Sequence, residues 1–118
     1  MTSHIGAITF DCTDALVLAE FWSAVLDRPI DSGEPAASQF FARISPTDTS
    51  PAMMFIKVAE PKSVKNRMHL DLSADNREGE VERLLSLGAT RIHDKDEWGL
   101  KWTTLADPEG NEFCVAQH

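Results

Sequence analysis

A chain of 118 residues, 42% hydrophobic and 25% charged, has the composition of one globular domain and enough apolar surface for a core without disulfide or metal staples. Its net charge of -8, with no cluster of Lys or Arg, speaks against nucleic acid and anionic membranes as partners. No apolar run approaches a bilayer span, the first residues lack a basic segment followed by an apolar stretch, and two cysteines, Cys12 and Cys114, are too few for a disulfide framework. Reduced thiols and a cytoplasmic address are therefore expected.

Ile5 to Cys12 alternates as a strand does, with Ile8, Phe10 and Cys12 on one face and Ala7, Thr9 and Asp11 on the other. Thr13 or Asp14 can cap the helix that follows, in which Ala15, Leu18, Ala19, Trp22, Val25 and Leu26 recur at helical spacing before Pro29 stops it. Asp31 to Ser38 reads as a loop. Phe40 to Ser45 and Ala52 to Val58 read as strands around a polar turn at Pro46 to Pro51, and Glu60 to Lys65 as a linker.

The second half repeats this order. Met68 to Ala74 reads as a strand and Asp75 or Asn76 as a cap. Val81, Leu84, Leu85 and Leu87 form a helical stripe that ends at Gly88. An offset of 62 residues sets Ala7 on His69, Phe10 on Leu72, Ala19 on Val81 and Trp22 on Leu84, so apolar positions coincide. Three weaker strands follow, about Arg91 to His93, Leu100 to Leu105 and Glu112 to Ala116. Between the last two, Asp107-Pro108-Glu109-Gly110 reads as a tight turn, because proline fixes φ and glycine supplies a positive one.

The apolar sides of these strands, with Ile8, Phe10, Leu70, Leu72, Phe113 and Val115, are the ones a helix must cover. The opposite faces are polar. They carry Thr9 and Asp11 in the first strand, His69, Asp71 and Ser73 in the first strand of the second half, and Glu112 beside Cys114 in the last. Such faces either stand in solvent or line a ligand pocket. His69 and Asp71 project from one face and form either an acid-base pair or a hydrogen-bonded pair that fixes a pocket floor. Asp11 can crowd Asp71 or bind a cationic ligand group. Trp98 and Trp102 bracket a Gly-Leu-Lys segment, and with Phe40 and Phe41 can clamp a planar ring; Trp98 can equally be loop cover or an interface residue. Trp22 reads as core. His4, His93 and His118 have no companion pattern and read as surface.

With Met68-His69-Leu70-Asp71-Leu72, the closing turn resembles the vicinal-oxygen-chelate superfamily, the glyoxalase-like and bleomycin-resistance-like proteins, in which a D-P-x-G turn precedes the last strand of a βαβββ module. The resemblance covers nearly the whole chain. It implies an α+β fold of two βαβββ modules forming a cupped, barrel-like mixed sheet backed by helices. Residues 1–118 would form a single domain, with module one at about 4–60 and module two at about 66–117.

The resemblance also implies four ligand positions for a divalent metal, which fall here on Ala7, near Ile56, on His69 and on Cys114. Ala and Ile donate no lone pair, so no cofactor is expected; His69 and Cys114 would hold a soft metal only with help, for example from Glu112. Two functional classes follow. In the first, a metal-free cup binds or sequesters an apolar or aromatic compound, using Thr9, Asp11, Phe41, Ile56, Trp102, Glu112 and Cys114. In the second, a lyase or isomerase uses His69 and Asp71 as acid-base groups; a metal-dependent lyase or dioxygenase is the less favoured alternative. The expected partners are a small molecule and a second copy of the chain, with no nucleic acid and no membrane.

Overall fold

The computed structural model describes residues 2–117, so His118 lies outside the described residues. The chain forms two compact units, Met1–Pro61 and Lys62–His118. Each is α+β, with one helix and one mixed sheet, and among the described residues no helix is long and apolar enough to cross a membrane.

In the first unit, β1 (Ala7–Cys12) pairs in parallel with β3 (Ala52–Lys57), and β2 (Phe41–Ile44) pairs antiparallel with β3, giving the order β1-β3-β2. A parallel neighbour needs a crossover, and α1 (Ala15–Leu26) lies on that connection. The Asp14 carboxylate caps it by accepting from the Val17 N–H at 3.1 Å. Its apolar stripe buries Ala15, Leu18, Ala19, Phe21, Trp22 and Val25. Trp22 meets Phe10 at 5.7 Å between ring centroids and Phe21 edge-on at 5.3 Å, while Phe10 stacks on Phe55 at 5.3 Å. Truncating Trp22 to Ala would cost about 3–5 kcal/mol.

The second unit has the order β4-β7-β6-β5, from β4 (Asp71–Ala74), β5 (Thr90–Glu97), β6 (Leu100–Ala106) and β7 (Glu112–Gln117). Its helix α2 (Arg77–Leu87) is capped by Asn76, whose side chain accepts from the Gly79 N–H, and carries Glu78 and Glu80 in its first turn, where the helix dipole favours them. Its buried stripe is narrower than expected: Val81 and Leu84 are buried, Leu85 and Leu87 half-buried. Arg77 instead donates to the buried Thr103 hydroxyl at 2.7 Å, and Thr103 donates to Asp94 at 2.7 Å.

The 62-residue offset carries α1 onto Arg77–Gly88, one residue longer than the observed α2, and carries Ile30 onto Ile92 in β5. Ile30 forms an isolated antiparallel bridge to Ile44 on β2, the place β5 takes beside β6. The first unit therefore holds its fourth strand as one bridge, since Asp31 to Ser38 supplies no alternating run to lengthen it.

Three strands differ from the sequence reading by two or more residues at an end, the others by one. Ile5 and Gly6 precede β1, although the Gly6 carbonyl accepts from the Ala52 N–H at 3.3 Å. Met68, His69 and Leu70 precede β4, although the Leu70 carbonyl accepts from the Cys114 N–H at 2.9 Å. In place of a short run at Arg91 to His93, β5 is eight residues long and continues through Asp94, Lys95, Asp96 and Glu97. These polar residues lack the apolar alternation that marks a strand and are held by the antiparallel ladder to β6.

Candidate functional site

One face of the second sheet is left open by its helix, and the strand register decides which side chains stand on it. Asp71 lies opposite Cys114, Cys114 opposite Thr104, and Thr104 opposite His93. Paired residues project to one side, so a polar row crosses all four strands over about 14 Å. Ser73, Ala116, Trp102 and Lys95 form the next row.

His93 and Lys95 reach this face through a β-bulge. Simple alternation would put them on the side of Arg91, which faces Leu105 below the sheet. The register shifts between Arg91 and His93, Ile92 becomes the extra residue, and the strand beyond it is turned over. Asp94 is thereby turned to the helix side, where it meets Thr103 and accepts both Arg91 contacts at 2.9 Å. The Thr103 hydrogen bond, followed by Arg91, lowers the Asp94 carboxyl below its ordinary value.

Over the open face lies a pocket of about 540 Å³, within the size range of small-molecule sites. Thr104, Cys114 and Ala116 form its floor. His69, Asp71, Lys65 and Glu112 stand on one side, and His93, Lys95, Leu100, Trp98 and Trp102 on the other. Trp98 and Trp102 are nearly parallel, 16° apart with centroids 6.3 Å apart. Glu112 accepts a hydrogen bond from Lys65 at 2.8 Å, which holds its carboxyl below its ordinary value.

His69 Nε2 stands 3.4 Å from Asp71 Oδ1, and both side chains are exposed. Cys114 is buried and lies 3.4 Å from the Thr104 hydroxyl oxygen. Burial pushes its thiol up, and the Asp71 and Glu112 charges push the same way, so Cys114 stays a neutral thiol at pH 7. One ligand atom each from His69, Asp71 and Cys114 lie within 4.8 Å of one another. Ligands about 2.0–2.3 Å from zinc stand roughly 3.5 Å apart, so the two exposed side chains would have to close in by about 1 Å. Imidazole, carboxylate and thiolate form a borderline-soft set that would fit zinc better than magnesium. Asp71, rather than Glu112, would be the third donor.

The other sequence-derived candidates lie in the first unit. Asp11 is opposite Ile56 and Ile56 opposite Phe41, so these three share a row, with Thr9, Met54 and Arg43 in the next. The walls of the pocket described here come from the second unit. His93, Lys65 and Lys95 were missed as site residues. A bulge has no signature in alternation, and lone lysines carry none; an aromatic-Gly pair at Trp98-Gly99 was the available sign of a hairpin that would lengthen β5.

Among proteins curated for function, none matches the chain. Solved structures do match it along nearly its whole length. A glyoxalase/bleomycin resistance protein/dioxygenase family enzyme from Burkholderia phytofirmans PsJN is 16% identical, with a TM-score of 0.75 and 98% of each chain covered. TioX from Micromonospora sp. ML1 is 19% identical, with a TM-score of 0.64 and 99% of each chain covered. TnmS3, an antibiotic binding protein from Streptomyces sp. CB03234, is 16% identical, with a TM-score of 0.70, 98% of this chain and 96% of the other being covered. At these identities the likeness is one of fold. The model of the glyoxalase-like domain matches residues 7–116, and with the βαβββ order of the second unit and the closing turn this makes the chain a member of the glyoxalase-like domain family, within the vicinal-oxygen-chelate superfamily.

Proposed function

We propose that the protein binds or sequesters an apolar or aromatic small molecule in the pocket of its second unit, without needing a metal. The observation that carries this reading is the pocket of about 540 Å³ walled by Trp98, Trp102 and Leu100 over a floor of Thr104, Cys114 and Ala116. Aromatic walls supply contact area, and the polar row supplies a few directional groups that orient a ligand. The likeness to an antibiotic binding protein supports the same direction. The test is a screen of apolar and aromatic compounds by tryptophan fluorescence. A saturable response that Trp102→Ala removes is expected, and a wild-type protein that responds to no compound would overturn the reading.

A second reading rests on the His69–Asp71 pair. Asp71, 3.4 Å from His69 Nε2, would orient the imidazole, which would take a proton from a ligand in the pocket or give one to it. Members of the superfamily often bind a metal, and here His69, Asp71 and Cys114 would hold it. A bound zinc would supply Lewis-acid polarisation of a ligand oxygen. Cys114 would give up its proton on binding, and Thr104 would remain as the hydrogen-bond partner of its sulfur. Metal content of gently purified, untagged protein by mass spectrometry tests the metal-dependent form of the second reading. Near-stoichiometric zinc, lost in His69→Ala, would favour the second. For metal-free acid-base chemistry, His69→Ala is expected to abolish turnover of an aldehyde, thiol adduct or cyclic carbonyl while leaving Tm unchanged.

A further inference from the structure

β5 and β6 are joined by only two residues, Trp98 and Gly99, with Glu97 and Leu100 as the last pair of the ladder. Both turn residues have positive φ, 55° for Trp98 and 75° for Gly99. This is the pattern of a type I′ turn, whose first position favours Asn, Asp or Gly. A bulky residue at positive φ is an outlier, because its Cβ crowds the backbone. A buried aromatic could recover that strain by packing, but Trp98 is 86% exposed. What it has is a near-parallel neighbour, Trp102, and a place in the pocket wall.

Resting on the pocket reading above, we propose that Trp98 is a ligand-binding residue held in place by the turn, and that the ligand it selects is a planar, fused-ring aromatic compound. A fused ring system offers a flat face large enough to cover an indole, whereas a branched aliphatic group meets only part of one. Stacking of this kind tolerates differences in ring substituents. The polar row from Asp71 through Thr104 to His93 is then left to choose among edges that carry hydrogen-bonding groups. The two-residue turn sets the Trp98 backbone before the ligand arrives, so that share of the conformational freedom is not lost on binding.

The test compares wild type with Trp98→Gly, using 9-aminoacridine as the planar probe and cyclohexanecarboxamide as a non-planar control, by titration calorimetry, with Tm read on the same samples. Glycine suits the turn, so Tm is expected to hold or rise, while affinity for 9-aminoacridine falls tenfold or more and that for the control changes less than twofold. Trp98→Phe is expected to recover part of the affinity. Undiminished binding of 9-aminoacridine by Trp98→Gly would overturn the proposal for Trp98 and leave the pocket reading intact. A Tm lowered by several degrees would overturn it as well, by showing that the indole holds the hairpin together. A wild type that binds neither compound, and that also fails the fluorescence screen, would remove the pocket reading on which the proposal rests.

Discussion

Asp107 shows how much one side chain can set. It is 3% exposed, and its Oδ1 accepts from the Glu109 and Asn111 N–H groups, each at 2.9 Å, while Oδ2 accepts from Asn111 Nδ2 at 3.1 Å. Gly110, at φ 89°, donates to the Asp107 carbonyl at 2.9 Å and lets the chain return into β7. Asp107→Ala would remove the buried carboxylate that accepts from these half-buried donors and is expected to cost about 1–3 kcal/mol by chemical denaturation. Cys114 gives a second prediction at this scale. Its raised thiol is expected to react with iodoacetamide more slowly than an unfolded cysteine across pH 7–9, measured by mass spectrometry in a Cys12→Ser background.

Among the elements, the β5–β6 hairpin carries most of what the sequence concealed. Ile92 is 45% exposed and is the extra residue of the bulge, so deleting it would make the ladder regular and keep His93 opposite Thr104. A stability change within about 1 kcal/mol is expected, and ligand response should persist. A large loss of stability would show that the bulge is needed for more than facing. Asp94 predicts a pH effect. Its folded value is lowered, so the unfolded chain binds more protons as the pH falls below about 4, and the stabilisation present above that pH is lost as the pH falls through the folded value. The stability difference between wild type and Asp94→Asn should therefore be present at pH 7 and shrink progressively below about pH 4. A difference that does not change with pH would assign the role of Asp94 to hydrogen bonding independent of its charge.

At the scale of the whole molecule, both units use the same local plan for different tasks. The first buries a large aromatic cluster under α1, while the second trades part of its apolar stripe for the Arg77–Thr103–Asp94 network and bears the pocket described here. Dimerisation, which the family resemblance implied, has a physical motive in β1, β4 and β5, each of which, among the described residues, has one neighbour within its own sheet. Sedimentation equilibrium is expected to give twice the chain mass of 13.1 kDa, and a single-chain mass across the micromolar range would rule the dimer out.

The sequence by itself determined the element types, the duplicated order, a helix cap at Thr13 or Asp14 and the closing turn, because these depend on residues close in the chain and on periodicity that local physics enforces. It also marked His69, Asp71, Glu112 and Cys114, which follow from counting alternate positions along a strand, and Trp102, from the aromatic pair that brackets a Gly-Leu-Lys segment. Only the tertiary structure decided the rest. The bulge at Ile92 turned His93 and Lys95 into the pocket, and the approach of β4 to β7 set Asp71 beside Cys114. The hairpin turn put Trp98 next to Trp102. Each depends on pairing between strands distant in sequence, where a shift of one residue exchanges the two faces, and alternation along one strand carries no record of such a shift.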